Sequence, residues 1–309
     1  MTLLDEIVSK TKCEIDEDKR KDSLKFLKGR VVGMPKTLSF ENALSEPFSG
    51  LIAEIKMRSP SMGSVGENTK ELDFSRNGKR TLSAPACYNR HSIVKAVSVI
   101  TQRSHFGGSL RLFREVRKRV NKPIIRKDFI FDEYQIWQSR ALGADAILLM
   151  ANVIKDASKF RDLFDLATDL GLDVLCEIHS LDELKIVPDY AKICGVNCRD
   201  FRPAKGKRLL YSVTRRLSND SSTSIKAFDL LNEFHRSVKV AESGITLENV
   251  EEVTKRATFN AALIGTSILN DSRSVSDVLD KFQAVFRAAR ARHEMMESAE
   301  IEIPYSLAS

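Results

Sequence analysis

The chain has 309 residues, 42% hydrophobic and 29% charged, which is globular composition with length for one large domain or two modest ones. It has no apolar run of about 18 residues, so no membrane span is expected. Its net charge of +7 comes without a zinc finger, helix-turn-helix or aromatic-rich RNA motif. A solvated basic face or a small anionic substrate therefore explains the charge better than nucleic acid.

Met1 to Lys12 mixes Asp, Glu and Lys with Leu and Ile. It lacks the apolar core of a signal peptide and is too acidic for a transit peptide, so a cytoplasmic protein is expected. The five cysteines, Cys13, Cys87, Cys176, Cys194 and Cys198, are irregularly spaced. They read as reduced thiols rather than zinc ligands or a disulfide framework.

Leu3 to Leu27 reads as one or two helices, broken at Gly33-Met34-Pro35, with a short helix at Phe40 to Leu44. Then a strand-helix rhythm begins. Short apolar runs stand at Leu51–Ile55, Ala96–Ile100, Pro123–Arg126, Ala146–Met150, Val174–Ile178, Ile193–Val196, Val238–Ala241 and Ala261–Ile264. Between them lie segments of helical period, such as Leu112, Phe113, Val116 and Val120. Eight alternating units predict parallel strands with right-handed crossovers, closed as a (β/α)8 TIM barrel with an N-terminal helical extension. An open doubly wound sheet fits less well, because no early G-x-G-x-x-G turn follows a strand. The expected division is an extension over residues 1–48, a barrel over 49–290 and a tail over 291–309. Two crossovers strain the rhythm. Ser64 to Arg90 is long and polar, and Phe201 to Ser237 carries a Ser218-Asn219-Asp220-Ser221-Ser222 run that reads as a flexible insertion.

Catalytic groups of such barrels lie at the carboxyl ends of strands. That rule selects Glu54 and Lys56, Lys127 with Asp128 and Phe129, Glu177, Asn197 and Arg199, and Glu242 with Ser243. Glu54 and Lys56 are two apart and share one side of a strand. Glu242-Ser243-Gly244-Ile245 and Ile264-Gly265-Thr266-Ser267 follow the last two strands, where this fold holds phosphate. Bland alternatives stand beside each reading. Lys127 and Asp128 suit a rim salt bridge, Glu54 and Lys56 a structural pair, Asn197 a helix cap, and Ser243-Gly244 an ordinary tight turn.

The motifs resemble the indole-3-glycerol-phosphate synthase family. They include Ile52-Ala53-Glu54-Ile55-Lys56 with Ser59-Pro60-Ser61, Phe106-Gly107-Gly108-Ser109-Leu110 and Arg126-Lys127-Asp128-Phe129-Ile130. Gly171-Leu172-x-Val174-Leu175-x-Glu177, Gly195-Val196-Asn197-x-Arg199-Asp200 and the two glycine loops follow in order. The resemblance covers nearly the whole chain. It implies a carboxy-lyase of tryptophan biosynthesis that closes the indole ring and releases carbon dioxide and water. No metal or organic cofactor is implied. Other tryptophan-pathway enzymes are the macromolecular partners it suggests.

By the matching motifs, Lys127 is the general acid. Lys56 binds the anthranilate carboxylate and assists proton transfer, Glu54 holds the lysines, Glu177 serves dehydration, and Asn197 orients the substrate. Ser59, Arg58, Phe106, Phe129, Arg199 and Glu242 are the implied substrate contacts. Ser243, Gly244, Gly265 and Thr266 are the implied phosphate contacts. His105 and His179 border motif residues without a catalytic place in the family.

The match departs at Gln102, where the family has an acid, at Cys198, and in both long crossovers. These departures bear on loop closure over substrate. Two other functions are possible in principle: isomerisation of phosphoribosyl anthranilate, against which the two lysines speak, and a non-catalytic phosphate-binding or interaction protein.

Overall fold

The structure is a computed structural model and describes residues 2–59, 63–64, 83–198 and 227–301. Eight parallel strands close into a barrel. They are β1 (Gly50–Ile55), β2 (Val94–Ile100), β3 (Ile124–Lys127), β4 (Ala146–Met150), β5 (Asp173–Ile178), β6 (Ile193–Asn197), β7 (Val238–Glu242) and β8 (Ala261–Ile264). Closure comes from β1, which pairs with β2 on one side and β8 on the other. The architecture is the expected TIM barrel, and each expected strand lies within two or three residues of its observed bounds. Most of the 64–90 crossover, most of 201–237, and residues 302–309 lie outside the described residues.

Strand alternation sorts the side chains into two apolar compartments. Ile52, Ala96, Ile125, Leu148, Leu175, Ile193, Val240 and Leu263 point inward and fill the barrel. Their sequence neighbours, among them Ala53, Val97, Ile124, Ile147, Cys176 and Ala262, point outward against the helices. The inward set therefore continues, two residues further up each strand, as Glu54, Lys127, Glu177 and Glu242. Asn197 stands at the same level on β6.

The N-terminal segment grips both ends of the barrel. Helix α1 (Leu3–Lys21) starts with a capping box between Thr2 and Asp5 and buries Leu4, Ile7, Thr11 and Ile15 at helical spacing. Leu4 and Ile7 join the barrel-interior cluster together with Phe106 and Phe129, so α1 lies across the carboxyl-end mouth. After α2 (Leu24–Val31), helix α3 (Phe40–Ala43) sits over the strand starts. The Asp173 carboxylate accepts the Phe40 and Glu41 N–H groups at 2.7 and 3.0 Å, and Phe40 and Leu44 are fully buried.

Along the described chain, the next α-helices are α4 (Ser83–Arg90), α5 (Leu110–Arg117), α6 (Glu133–Ala141), α7 (Ala151–Ile154), α8 (Ala157–Asp169) and α9 (Leu181–Leu184). Then come α10 (Val250–Arg256), α11 (Thr266–Leu269) and the long α12 (Val275–Ile301). No helix among the described residues is long and apolar enough to cross a membrane.

Candidate active site

Lys127 ends β3 and points into the barrel mouth. Its Nζ lies 3.2 Å from Glu177 Oε2 on β5 and 3.2 Å from Glu242 Oε2 on β7. Both glutamates are fully buried, and the lysine side chain is only 16% exposed. Two carboxylates around one ammonium leave one negative charge in excess, a costly state without solvent. Burial opposes the Lys127 charge, but Glu177, Glu242 and Glu54 outweigh it and hold the proton on the amine.

The two carboxyls respond in opposite directions. Burial pushes Glu242 up, and the Glu177 charge adds to that rise against the pull of Lys127. Burial also pushes Glu177 up, but Lys127 and then His179 more than reverse it, so Glu177 sits below the usual range.

The second pair is Glu54 and Lys56 on and just after β1, with Nζ 2.9 Å from Oε1 and both side chains under a tenth exposed. Glu54 thus pairs directly with Lys56 and acts on Lys127 only at longer range. Glycines make room for these carboxylates. A Cβ on Gly195 would meet Glu242 Oε1 at 2.1 Å, and a Cβ on Gly265 would meet Glu54 Oε1 at 2.7 Å. Asn197 ends β6 in register with Glu242.

Around this centre, the Phe106 and Phe129 rings lie 6.1 Å apart at 38° and form an apolar wall below α1. Ser243 and Gly244 follow β7 with successive φ values of 67° and 68°. A non-glycine residue in that region is strained, and strain of this kind gathers at ligand-binding turns. Gly265 opens the short α11 after β8, and Thr266 Oγ1 is buried with no partner among the described residues.

Other expected residues lie differently. Arg58 turns onto the loop after β2, donating from its guanidinium to Ser104 O at 3.2 Å. Ser59 pairs with Gly63 in a two-residue ladder. Arg199 lies outside the described residues. Asp128 does not pair with Lys127. It faces outward and accepts from Arg126 at 3.0 Å and Thr101 at 2.5 Å. Arg126 in turn donates to Gln138 of α6 at 2.9 Å, which anchors both flanks of Lys127 in the helix layer.

Gln102 proves to be a brace. Its Oε1 accepts the His105 and Phe106 N–H groups at 2.9 and 3.2 Å, as a carboxylate would. Its Nε2 donates to Ser104 Oγ at 2.7 Å and reaches Glu14 of α1 at 3.4 Å, which no carboxylate does. Glu14 also accepts the Arg103 and Ser104 N–H groups. His179, for which the sequence left a surface place and a place behind the motif residues both open, takes the second: its side chain is 4% exposed and lies beside Glu177. Its place two residues after Glu177, just past the end of β5, was the available signal.

Residues 4–280 match the model of the family described as indole-3-glycerol phosphate synthase. The chain belongs to the indole-3-glycerol phosphate synthase family. It is 34% identical over 268 residues to the indole-3-glycerol phosphate synthase of Bacteroides thetaiotaomicron, covering 86% of this chain and 92% of that one. It is 34% identical over 299 residues to that of Paenarthrobacter aurescens, covering 94% and 99%. Among solved structures, 3-hexulose-6-phosphate synthase from Salmonella typhimurium aligns with a TM-score of 0.50 at 11% identity, over 78% of this chain and 99% of that one. That last likeness is one of fold. In this member of the indole-3-glycerol phosphate synthase family, a lysine lies between two buried glutamates at the mouth of the barrel.

Proposed function

We propose that the protein converts 1-(2-carboxyphenylamino)-1-deoxyribulose 5-phosphate to indole-3-glycerol phosphate, releasing carbon dioxide and water. The observation that carries this reading is Lys127: a buried ammonium held by Glu177 and Glu242 in the mouth that Lys56 also enters. Family membership supports the same reaction.

Ring closure joins the substrate's carboxylate-bearing aromatic carbon to its ketone carbon, and the ketone oxygen gains charge. A fixed ammonium stabilises that oxygen, and the alkoxide is basic enough to take the proton from Lys127. The carboxylate carbon then leaves as carbon dioxide, and its bonding electrons return to the ring system. Loss of the new hydroxyl as water, with removal of a ring proton, completes the indole. Glu177, charged and beside Lys127, serves that proton removal. Glu242 retains a proton at neutral pH and keeps the charge count of the mouth low enough for an anionic substrate. Lys56 meets the substrate carboxylate, with Glu54 fixing its ammonium. Asn197 orients the sugar hydroxyls. Phe106 and Phe129 flank the aromatic ring, which excludes water from the reacting carbons. Ser243, Gly244, Gly265 and Thr266 hold the phosphate at the far side of the mouth.

Purified protein mixed with this substrate should develop indole absorbance and fluorescence. Absence of turnover in the folded wild-type chain would refute the assignment.

A further inference from the structure

His179 stands just past the end of β5, two residues after Glu177. Its ring is clamped on one edge. Nδ1 lies 3.1 Å from Glu183 Oε2, and the same oxygen accepts the His179 backbone N–H at 2.7 Å. Glu183 is itself fixed in α9, where the Ser180 hydroxyl accepts its backbone N–H. The Asn152 side chain in α7 lies 3.3 Å from Nδ1. On the opposite ring edge, Nε2 lies 3.8 Å from Glu177 Oε1.

Of the two groups at Nδ1, the Glu183 carboxylate calls for a proton there and the Asn152 amide N–H for a lone pair, and the carboxylate is the nearer of the two. A lone pair on Nε2 would then confront a buried carboxylate, whereas a second proton turns repulsion into attraction. The ring thus lies between two carboxylates, one outside the mouth and one inside it, and in its protonated form it attracts both. Glu177 faces Lys127 from β3, Glu242 from β7, Asn197 from β6 and His179 from its own strand, with Glu54 further off on β1. Glu177 and Glu242 lie equally far from Lys127. Of the two, His179 faces Glu177.

We infer that His179, braced by Glu183, is a positioning residue: it fixes the Glu177 carboxylate and makes Glu177, rather than Glu242, the member that stays charged beside Lys127. This inference rests on the proposed synthase reaction for its consequence in turnover. Opposite shifts of two carboxyls around one cation divide proton acceptor from proton holder, and the opposite directions found for this pair agree.

The test compares wild type with His179→Asn and Glu183→Gln across pH 5 to 9, alongside melting temperatures. Removing a cation beside Glu177 should move the acid limb of the kcat/KM profile up by about one pH unit. In the same variant kcat should fall roughly tenfold or more while KM changes little, because the interaction acts on the chemical step. Glu183→Gln should move the limb the same way by less. An acid limb in His179→Asn that superimposes on wild type would overturn the inference, whatever the melting temperature. A measurement independent of turnover is the NMR titration of the His179 imidazole in wild type and Glu177→Gln. Its midpoint should fall in the variant, and an unmoved midpoint overturns the pairing. An inactive wild type with that midpoint shift would defeat the synthase reading and leave the pairing standing.

Discussion

Gly195 of β6 is in register with Val240 of β7, and Glu242, two residues further along β7, reaches diagonally back so that its carboxylate fills the space where a Gly195 Cβ would lie, 2.1 Å away. The glycine on β6 therefore determines where a charged group from β7 rests, and through it where Lys127 rests. Gly195→Ala should leave the barrel folded, because the obstructing atoms are the end of a movable side chain. The Glu242 carboxylate must shift, and Lys127 with it. A displacement near 1 Å in such a site lowers turnover by roughly 10²-fold. Steady-state kinetics with a melting curve would check this, and unchanged kcat would contradict it.

Lys127→Met should reduce kcat by about 10³-fold or more, the scale expected for a group that is both proton donor and electrostatic anchor. It also removes the cation that lies 3.2 Å from Glu242. Both buried glutamates would then favour their neutral forms, with folded values above the unfolded ones. Such groups lose stability as pH rises through the ordinary carboxylate range, because the unfolded chain ionises first. The variant's melting temperature should therefore fall between pH 4 and 7 relative to wild type. A parallel pH profile would refute the shared-cation account.

Glu242→Gln isolates one side of that linkage. Burial raises the Glu242 carboxyl in the folded state, so in the wild type its contribution diminishes as pH rises above the unfolded carboxylate value. Replacing it by an amide removes this slope. The expected result is a flatter melting temperature from about pH 5 upward, measured by calorimetry.

Gln102→Glu tests the hold of α1 on the mouth. The substitution keeps acceptors for the His105 and Phe106 N–H groups but places a carboxylate against Glu14. Loss of the amide contact and like-charge repulsion should cost about 1–2 kcal/mol. Because Leu4 and Ile7 of α1 pack with Phe106 and Phe129, KM should rise more than kcat falls. Glu14→Gln in the same chain should restore much of the loss.

At the opposite end of the barrel, Lys122 donates to three carbonyls, those of Tyr88, His91 and Val94, at 2.6 to 2.8 Å. Burial, with help from Lys95, lowers its ammonium to about 8. Lys122→Met strands three acceptors where α4 joins β2 and should destabilise the fold by about 2–3 kcal/mol with kcat unchanged. Denaturant unfolding would measure it.

The sequence by itself determined the eight strands, the barrel, and the level at which charge would gather. Period-2 alternation carries each apolar inward series up to Glu54, Lys127, Glu177 or Glu242, so the residues of the mouth were legible as strand ends. Family motifs sharpened the same set. Tertiary structure decided who meets whom. Glu54 meets Lys56, while Lys127 meets Glu177 and Glu242, because the stagger of strands around a closed barrel sets which tips share a height. That stagger is fixed by contacts far apart in the chain and leaves no mark on local pattern. Gln102 read as a departure from an acidic position, yet its value comes from Glu14, 88 residues away. For His179 the sequence left a surface place and a place behind the motif residues both open, because nothing in its neighbourhood of sequence says that α7 and α9 close over it. Pairing between buried charges is a property of three-dimensional proximity, and only the folded chain supplies it.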